Sequence, residues 1–293
     1  MSPDLRNEII TKIQTLESPT RIAITSRYPF LSTPVAEFRR NLTNSKNFLD
    51  FTIARKQNQE FFSCVAVRHQ SLLMRRLGDS NPRLQRQKIT NLKIAASFLN
   101  GLVIKPGQTF SFWDTIGKPS SNRGFVNGML LSGGKVVEGV GGGLCQMANL
   151  LYWMFLHLPV EITERHHHSM DVFPDSGRVL PFGSGATIFY NYLDLKIKNT
   201  SAYPLQFKIW LTDKHLKGQV LTPRHLKTKY HILETNHYFV KHGKQYYRYN
   251  EIWRDQKFNG QMQKTEKLMS NFSPVIYQID EEELKQRYNL ILI

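Results

Sequence analysis

The chain has 293 residues, of which 41% are hydrophobic, 12% aromatic and 21% charged. This composition is typical of folded globular proteins and excludes disordered and fibrous classes. The only two cysteines, Cys64 and Cys145, exclude a scaffold held together by disulfides.

The formal net charge of +16 is concentrated in two segments. Residues 68–93 carry seven Lys or Arg against one Asp, and residues 214–267 carry twelve against four acidic residues. Such clusters bind nucleic acid, anionic lipid headgroups or acidic substrates, and they also occur as plain solvated surface. No recognised nucleic-acid-binding motif accompanies the charge, which disfavours nucleic acid as the partner.

The N-terminal thirty residues contain charged side chains throughout and no apolar run, so they lack the pattern of a signal peptide. The most apolar stretch, residues 149–160, is shorter than the roughly 18 to 20 residues that a membrane-spanning helix requires. We therefore expect no transmembrane segment and a cytoplasmic location.

Helical spacing of apolar residues predicts three helices in the first hundred residues, at 3–16, 34–48 and 82–100. The third ends at Asn100-Gly101, because glycine tolerates the left-handed conformation common at helix C-termini. From Leu102 onward, short extended segments separated by glycine turns predict β-strands. One further helix, Cys145 to Leu158, starts directly after a glycine run and is ended by Pro159.

After that helix the pattern is mainly that of β-structure. Apolar and polar residues alternate in 186–190, 193–198, 205–210 and 230–249, and His242-Gly243 in the last segment marks a hairpin turn. We therefore predict an α+β fold, in which mainly antiparallel β-sheet packs on the helix that begins at Cys145, together with N-terminal helices.

The clearest chemical signal is the run from Gly139 to Gln146, which leads directly into this helix. It places the Cys145 thiol at a helix N-terminus, where unpaired N–H groups and the macrodipole favour the thiolate and lower the thiol pKa. Gly141, Gly142 and Gly143 allow a sharp entry and the close approach of a substrate backbone.

The backbone N–H groups of this run, with the Gln146 side chain, are candidates for an oxyanion hole. The alternative is a buried structural cysteine behind a tight turn. A phosphate-binding loop is disfavoured because no Gly-Lys-Ser/Thr follows the glycines.

A nucleophilic cysteine needs a base within hydrogen-bond reach, and the segment Glu164-Arg-His-His-His-Ser169 supplies histidines. In an extended segment His166 and His168 share one face, which makes them the candidate catalytic bases, whereas His167 points away. Rival interpretations are polar histidines on a surface turn and a zinc site. Zinc is disfavoured because no second cysteine lies close by and no HExxH is present. We expect neither a metal nor a cofactor.

Charged residues around this segment have open roles. Glu164 or Asp171 could orient a histidine ring. Arg165 and Arg178 could hold a substrate carboxylate by bidentate contact, or serve as structural ion-pair partners.

Several separate motifs, in their order and spacing, resemble the VanW domain. They are Asn91-Leu-Lys-Ile-Ala, residues 100–112, Gly139 to Gln146, Leu151-Tyr152, Glu164 to Ser169 and Gly185-Ala-Thr. The resemblance covers about residues 70–212. With residues 171–187 included, the pattern resembles the stand-alone VanW proteins associated with vancomycin-resistance clusters.

The resemblance implies a link to cell-wall metabolism, since some exported members are thought to be L,D-transpeptidases that use the cysteine of a GGGxCQ motif, here Cys145. The family's ER-x-x-HS motif falls on Glu164, Arg165, His168 and Ser169, which favours His168 as the base. Many members have Asp before the Ala-Thr pair, where this chain has Gly185. The role of that acidic group is therefore absent here or belongs to Asp171 or Asp175.

Two functions are expected from these observations. The first is cysteine-dependent acyl transfer or hydrolysis on peptidoglycan-type peptides. Cys145 attacks a carbonyl, His168 moves the proton, and the amides of residues 143–146 stabilise the oxyanion. The second is a non-catalytic accessory or binding module for an anionic cell-wall precursor. The expected substrate-binding residues are Gly141, Gly142, Gly143, Glu164, Arg165, Ser169 and Arg178.

The expected partner is a peptidoglycan precursor or stem peptide, and the basic segments suggest an anionic surface as a further partner. We expect three segments along the chain. They are an N-terminal helical and extended segment packed on the core (1–69), the VanW core domain (70–212) and a basic β-hairpin extension (213–293).

Overall fold

The structure, a computed structural model, describes residues 2–17, 32–50, 52–74, 82–132, 135–167, 170–171, 179–190 and 192–293. Its helices are α1 (Pro3–Glu17), α2 (Ser32–Leu49), α3 (Pro82–Leu99), α4 (Phe112–Ile116), α5 (Cys145–Leu156) and α6 (Glu281–Arg287). A 3₁₀ turn spans Ser121–Arg123. Of these helices, none combines the length and the hydropathy that a membrane span requires.

The strands in the described part of the chain form an α+β fold dominated by antiparallel pairing, as predicted. They are β1 (Cys64–Leu72), β2 (Val103–Ile104), β3 (Thr109–Ser111), β4 (Asn127–Ser132), β5 (Lys135–Val140), β6 (Val160–Glu164), β7 (Lys196–Asn199), β8 (Leu205–Leu211), β9 (His215–Thr222), β10 (Thr228–His242), β11 (Gln245–Phe258), β12 (Gln261–Pro274) and β13 (Asn289–Leu292).

The four helices predicted from the sequence are confirmed as α1, α2, α3 and α5, each to within two residues at either end. The predicted stop after α3 is also confirmed. Gly101 has φ +83°, and a Cβ there would lie 2.7 Å from the carbonyl oxygen of Asn58. The strand predicted at 186–190 is absent, since this segment makes only the isolated bridges Thr187–His166 and Phe189–Leu193.

The core lies around α5. Eight of its twelve residues are buried, which is typical of a helix surrounded by protein on most sides. The helix packs on β1 and β9 of the sheet β1-β9-β8-β2. Gly218 of β9 permits the close approach, because a Cβ there would lie 2.8 Å from Met154 Cε and 2.9 Å from Leu150 Cδ2. This packing fixes the axis of α5 and therefore the position of its first residue, Cys145.

Two smaller sheets complete this part of the fold. Strands β3-β7-β6 form one, and β4 and β5 form an antiparallel hairpin. Helix α3 packs on β4 and β8. The sheet β1-β9-β8-β2 includes residues on both sides of 70–212, because β1 begins at Cys64 and β9 ends at Thr222.

The C-terminal part forms a separate sheet of order β12-β11-β10-β13. The predicted turn at His242-Gly243 is confirmed, with His242 paired to Gln245 and Gly243 at φ +57°. Strands β10, β11 and β12 pair antiparallel, and β13 pairs parallel to β10. Helix α1 packs its Leu5, Ile9 and Ile13 side chains on this sheet, against Val240, Tyr247 and Tyr249.

A buried ion pair between Arg248 and Asp171 links the C-terminal sheet to the chain that follows β6. The Arg248 guanidinium on β11 lies 3.1 Å from Asp171 Oδ2, and the two side chains are 1% and 4% exposed. Arg248 also donates to His237 Nε2 at 2.8 Å and lies over the ring of Phe182 at 4.8 Å. Asn250 on β11 provides a further contact, because its side chain donates to the carbonyl of Phe182 at 2.8 Å.

Replacing Asp171 by Ala should lower the free energy of unfolding by about 3–5 kcal/mol, because the buried Arg248 charge loses its carboxylate. Adding Arg248→Met should recover most of the loss, since it removes that charge. Urea unfolding measures both effects. Glu282→Gln, in the exposed Lys285–Glu282 pair, is the matched control and should change stability by less than about 1 kcal/mol. A similar small effect for Asp171→Ala would contradict the role of the buried pair.

Candidate functional site

The glycine run is packed against other parts of the chain. Gly141 and Gly143 have φ of +81° and +93°, which side chains rarely adopt. A Cβ on Gly142 would lie 2.1 Å from the carbonyl carbon of Gly128, and one on Gly143 would lie 2.4 Å from Lys88 Cβ. The glycines are therefore required by internal packing, whereas the sequence suggested that they leave room for a substrate backbone.

Asn91 on α3 holds this turn in place. Its side chain is fully buried; Nδ2 donates to the carbonyls of Val126 and Gly142, both at 2.9 Å, and Oδ1 accepts from the N–H of Val126 at 2.9 Å. The sequence marks Asn91 only as part of a motif of the VanW resemblance. Its position as a polar side chain on the apolar face of a helix is the feature that indicates a structural hydrogen-bonding role.

Cys145 is the first residue of α5, as predicted, and it follows Leu144, which supplies no side-chain cap. The thiol donates to the backbone carbonyl of Ile188, with Sγ 3.7 Å from the oxygen. Burial raises the pKa of the Cys145 thiol. The expectation that the helix N-terminus lowers this pKa is therefore wrong for the ligand-free structure, because desolvation of the thiolate outweighs the dipole.

The Gln146 side chain is directed at β1. Its Nε2 donates to Ser71 Oγ at 2.9 Å and to the carbonyl of Leu72 at 2.8 Å. Its backbone N–H donates to Gly143 O at 3.1 Å. In this conformation the side-chain and backbone N–H groups of Gln146, which we expected in an oxyanion hole, are already used within the protein.

Two buried polar atoms on residues adjacent in the chain to Cys145 and Ile188 have no hydrogen-bond partner among the described residues. Gln146 Oε1 and Thr187 Oγ1 are buried and make no hydrogen bond to any described residue. Gln146 follows Cys145 in the chain, and Thr187 precedes Ile188, the residue that accepts from the thiol. Because buried polar atoms are nearly always hydrogen-bonded, each of these atoms indicates a place for a polar ligand group or an ordered water.

Glu164 meets the expectation that it contacts a histidine ring. Its Oε1 lies 3.2 Å from His166 Nε2 and accepts from the N–H of Asp194 at 2.9 Å. Lys196 Nζ lies 2.8 Å from the other carboxylate oxygen. Burial alone would raise the pKa of Glu164, but the hydrogen bonds from Lys196 and Asp194 hold it below its ordinary value.

The Glu164–His166 pair is attached to the segment that contacts the thiol, because the His166 carbonyl accepts from the N–H of Thr187 at 2.8 Å. Within the described part of the chain, no histidine ring is hydrogen-bonded to Cys145 Sγ. His168, the base favoured by the family motif, lies outside the described residues, as do Ser169, Asp175 and Arg178.

Two further predicted residues have structural partners. Arg165 donates from Nε and Nη2 to the Gly185 carbonyl, at 3.0 and 2.8 Å, and its guanidinium lies 4.9 Å from the centroid of the Tyr152 ring. These donors are therefore occupied by the protein backbone. Asp171, offered as an alternative orienting group, pairs with Arg248 instead.

Gly185, where many VanW proteins have Asp, has no room for a side chain. A Cβ there would lie 2.6 Å from Asn149 Oδ1, which accepts from the N–H of Ala186 at 2.7 Å. Asn149 on α5 therefore occupies the space that a side chain at this position would need.

The central part of the chain is similar to known proteins. Residues 87–221 match the family model described as VanW like protein. A protein of Enterococcus faecalis (strain ATCC 700802 / V583), described as Vancomycin B-type resistance protein VanW, is 37% identical over 172 residues, covering 59% of this chain and 62% of that protein. Residues 87–221 are therefore a VanW-like domain.

A second relative is Uncharacterized protein YoaR of Bacillus subtilis (strain 168), 28% identical over 115 residues, which are 39% of this chain and 36% of that protein. The chain thus spans less than two thirds of the length of either relative. No solved structure matches this chain. The VanW match includes most of α3, the glycine run, α5, β6 to β8 and all but the last residue of β9. It therefore includes Cys145 and Glu164 with their hydrogen-bond partners named above.

The Cys145 thiol should alkylate slowly at neutral pH in the ligand-free protein, because burial raises its pKa and lowers the thiolate fraction. Iodoacetamide labelling from pH 6 to 10, followed by mass spectrometry, should show a rate that inflects above the ordinary thiol pKa of about 8.5. The same residue in urea-unfolded protein is the control and should label faster at pH 7. Rapid labelling of Cys145 at pH 7 in the folded protein would contradict the assigned direction of the shift.

Proposed function

We propose that this protein carries out cysteine-dependent acyl transfer or hydrolysis on peptidoglycan-type peptides, in the cell-wall changes that accompany vancomycin resistance. The printed name of the Enterococcus faecalis relative supports the link to resistance. The observation that carries the proposal is the thiol at the start of α5, hydrogen-bonded to Ile188, with buried polar atoms that lack a partner among the described residues on the adjacent residues Gln146 and Thr187.

In the proposed first step, Cys145 Sγ attacks the carbonyl carbon of a peptide bond while its proton passes to a histidine. The base is His168, with the Glu164-linked His166 as the second candidate. Collapse of the tetrahedral intermediate transfers that proton to the leaving amine and forms a thioester. Water or a second amine then attacks the thioester and releases the thiol.

A base is needed because burial keeps the ligand-free thiol protonated at neutral pH. Substrate binding would have to draw the Sγ proton away from the Ile188 carbonyl and toward a histidine. Catalytic hydrogen bonds often tighten only when the substrate is bound, which is consistent with their absence between Sγ and the described histidines.

Several backbone N–H groups of the glycine run are already hydrogen-bonded and are left out of the proposed oxyanion hole. The N–H groups of Gly141, Gly142 and Gln146 donate to Val126, Gly139 and Gly143, respectively, within the turn. The proposed donors are therefore the N–H groups of residues 143–145 at the positive end of α5.

A non-catalytic binding module is the second candidate, and the protonated thiol with its hydrogen bond to Ile188 favours it. Its ligand would be an anionic cell-wall precursor attracted by the basic segments. Part of that charge is already neutralised, because five basic residues of 214–267 form ion pairs. They are Lys241, Arg248, Arg254, Lys264 and Lys267.

The two candidates differ in the effect of removing the nucleophile. Cys145→Ala should abolish turnover of a synthetic stem peptide while preserving the fold, and His168→Ala should lower the rate by about 10²- to 10⁴-fold. The double variant should lose no more than Cys145→Ala, because nucleophile and base act as one unit. Mass spectrometry detects the thioester adduct and any released or exchanged D-amino acid. Cys64→Ala is the matched control and should be fully active.

If wild-type protein forms no adduct and shows no turnover, while Cys145→Ala retains full function in cells, the enzyme proposal is wrong and the binding module remains.

For the binding module, affinity for a nucleotide-linked wall precursor should fall as salt rises from 0.1 to 1 M, where the Debye length shrinks from about 10 to about 3 Å. The expected cause is screening of the basic segments. Titration calorimetry at several salt concentrations measures it, with an uncharged stem peptide amide as the control ligand. Affinity independent of salt would contradict a role for the basic segments, and equal affinity for duplex DNA would favour a nucleic-acid partner.

A further inference from the structure

A buried arginine outside the family-matched segment has two donor nitrogens without a hydrogen-bond partner among the described residues. Arg40 on α2 is 6% exposed, and its Nε and Nη2 are buried with no hydrogen bond to any described residue. Removing a charged group from water is unfavourable unless it is paired and hydrogen-bonded. A guanidinium that served folding alone would be expected to have acceptors in place.

The neighbours of Arg40 do not supply such an acceptor. Its guanidinium carbon lies 4.8 Å from the centroid of the Tyr190 ring, a contact with a π face. Asp194 is near enough for its carboxylate to feel the Arg40 charge. That carboxylate, however, accepts from Ser111 Oγ at 2.6 Å and from the N–H of Trp113 at 3.1 Å. The Asp194 carboxylate is therefore already hydrogen-bonded to Ser111 and Trp113.

Arg40 borders the candidate site. Tyr190, beneath the guanidinium, is two residues from Ile188, which accepts the hydrogen bond from Cys145, so their Cα atoms are at most about 7.6 Å apart. Asp194, whose carboxylate feels the Arg40 charge, donates its N–H to Glu164, the partner of His166. Arg40 is thus near both the segment that contacts the thiol and a residue that holds the Glu164–His166 pair.

We propose that Arg40 binds the carboxylate of the peptide on which Cys145 acts, so that α2 forms part of the substrate site. This rests on the proposed function. Nε and Nη2 form one edge of the guanidinium fork, and two adjacent donors on one edge match the two oxygens of a carboxylate. Because both atoms are covered in the ligand-free structure, ligand entry requires a shift of the side chains that cover them.

The binding test uses Cys145→Ala protein, so that no turnover is needed. A synthetic stem-type peptide ending in D-alanine is titrated by calorimetry, once with a free C-terminal carboxylate and once as the C-terminal amide. Cys145→Ala should prefer the acid, and adding Arg40→Met should weaken acid binding by about 10- to 100-fold, the effect of losing a charge-assisted contact. Amide binding should not change. Arg39→Met, at the exposed neighbouring position, is the matched control and should bind like its parent.

The melting temperature separates this role from a structural one. Arg40→Met should leave the melting temperature of the ligand-free protein unchanged or raise it, because it replaces an unpaired buried charge by an apolar chain of similar length. It should also remove the upward shift that the peptide acid causes in wild-type protein. A lower melting temperature with unchanged peptide affinity would overturn the proposal in favour of a structural arginine.

Other outcomes identify which proposal fails. Arg40-dependent binding of the acid without turnover by wild-type protein supports the carboxylate subsite and contradicts the enzyme. Turnover with a KM unaffected by Arg40→Met supports the enzyme and contradicts the subsite. If acid and amide bind equally while inorganic phosphate stabilises wild-type but not Arg40→Met protein, the site takes phosphate and the carboxylate assignment is overturned.

Discussion

The contact between the backbones of Gly142 and Gly128 determines the geometry of the candidate site. A Cβ on either glycine would lie within 2.5 Å of the other's backbone, so neither position admits any other residue without displacement. Asn91 ties the carbonyl of Gly142 and both backbone groups of Val126 to α3. The chain can therefore leave β5 and enter α5 along only one path, and the first residue after that path is Cys145.

The same packing sets the chemistry of the thiol. Charge stabilisation at a helix N-terminus contributes about 0.3–1 kcal/mol, less than the 1.36 kcal/mol that corresponds to one pKa unit. Desolvation disfavours the charged thiolate, and it is the largest of the effects on the pKa of the half-buried Cys145. Since the turn that starts α5 is packed against α3 and β4, burial prevails and the pKa of Cys145 rises. A helix N-terminus activates a thiol only where water or a charged partner also reaches it.

Local patterns in the sequence were sufficient for four of the six described helices, α1, α2, α3 and α5, and for the main hairpin. Helix α5 was predictable because a glycine run, an uninterrupted apolar stretch and Pro159 agree, and the turn at His242-Gly243 because alternation continues on both sides. Strand β1 was not predicted, because its pairing partner β9 lies about 150 residues away in the chain and its own sequence includes Arg68, His69 and Gln70. Segment 186–190 alternates like a strand, yet it makes only isolated bridges.

At the site, residue identity predicted contacts between residues close in the chain better than contacts between distant ones. The Glu164–His166 contact follows from a spacing of two residues, whereas the partners of Arg165, Gln146 and Asp171 depend on how distant segments fold together. No feature of the sequence indicated that Arg40 is buried, because an arginine within a polar helix is ordinarily a solvated residue.

Two buried arginines, Arg248 and Arg40, differ in the partners that surround the guanidinium. Arg248 is 1% exposed and has a carboxylate at 3.1 Å, a histidine nitrogen at 2.8 Å and aromatic rings around it, the environment of a charge that joins two parts of a protein. Arg40 is almost as buried, but among the described residues its Nε and Nη2 have no acceptor, and its guanidinium contacts an aromatic ring. Both charges lose similar hydration on folding, yet only one regains hydrogen bonds from the described residues. The difference is accounted for if the acceptor for Arg40 arrives with the ligand.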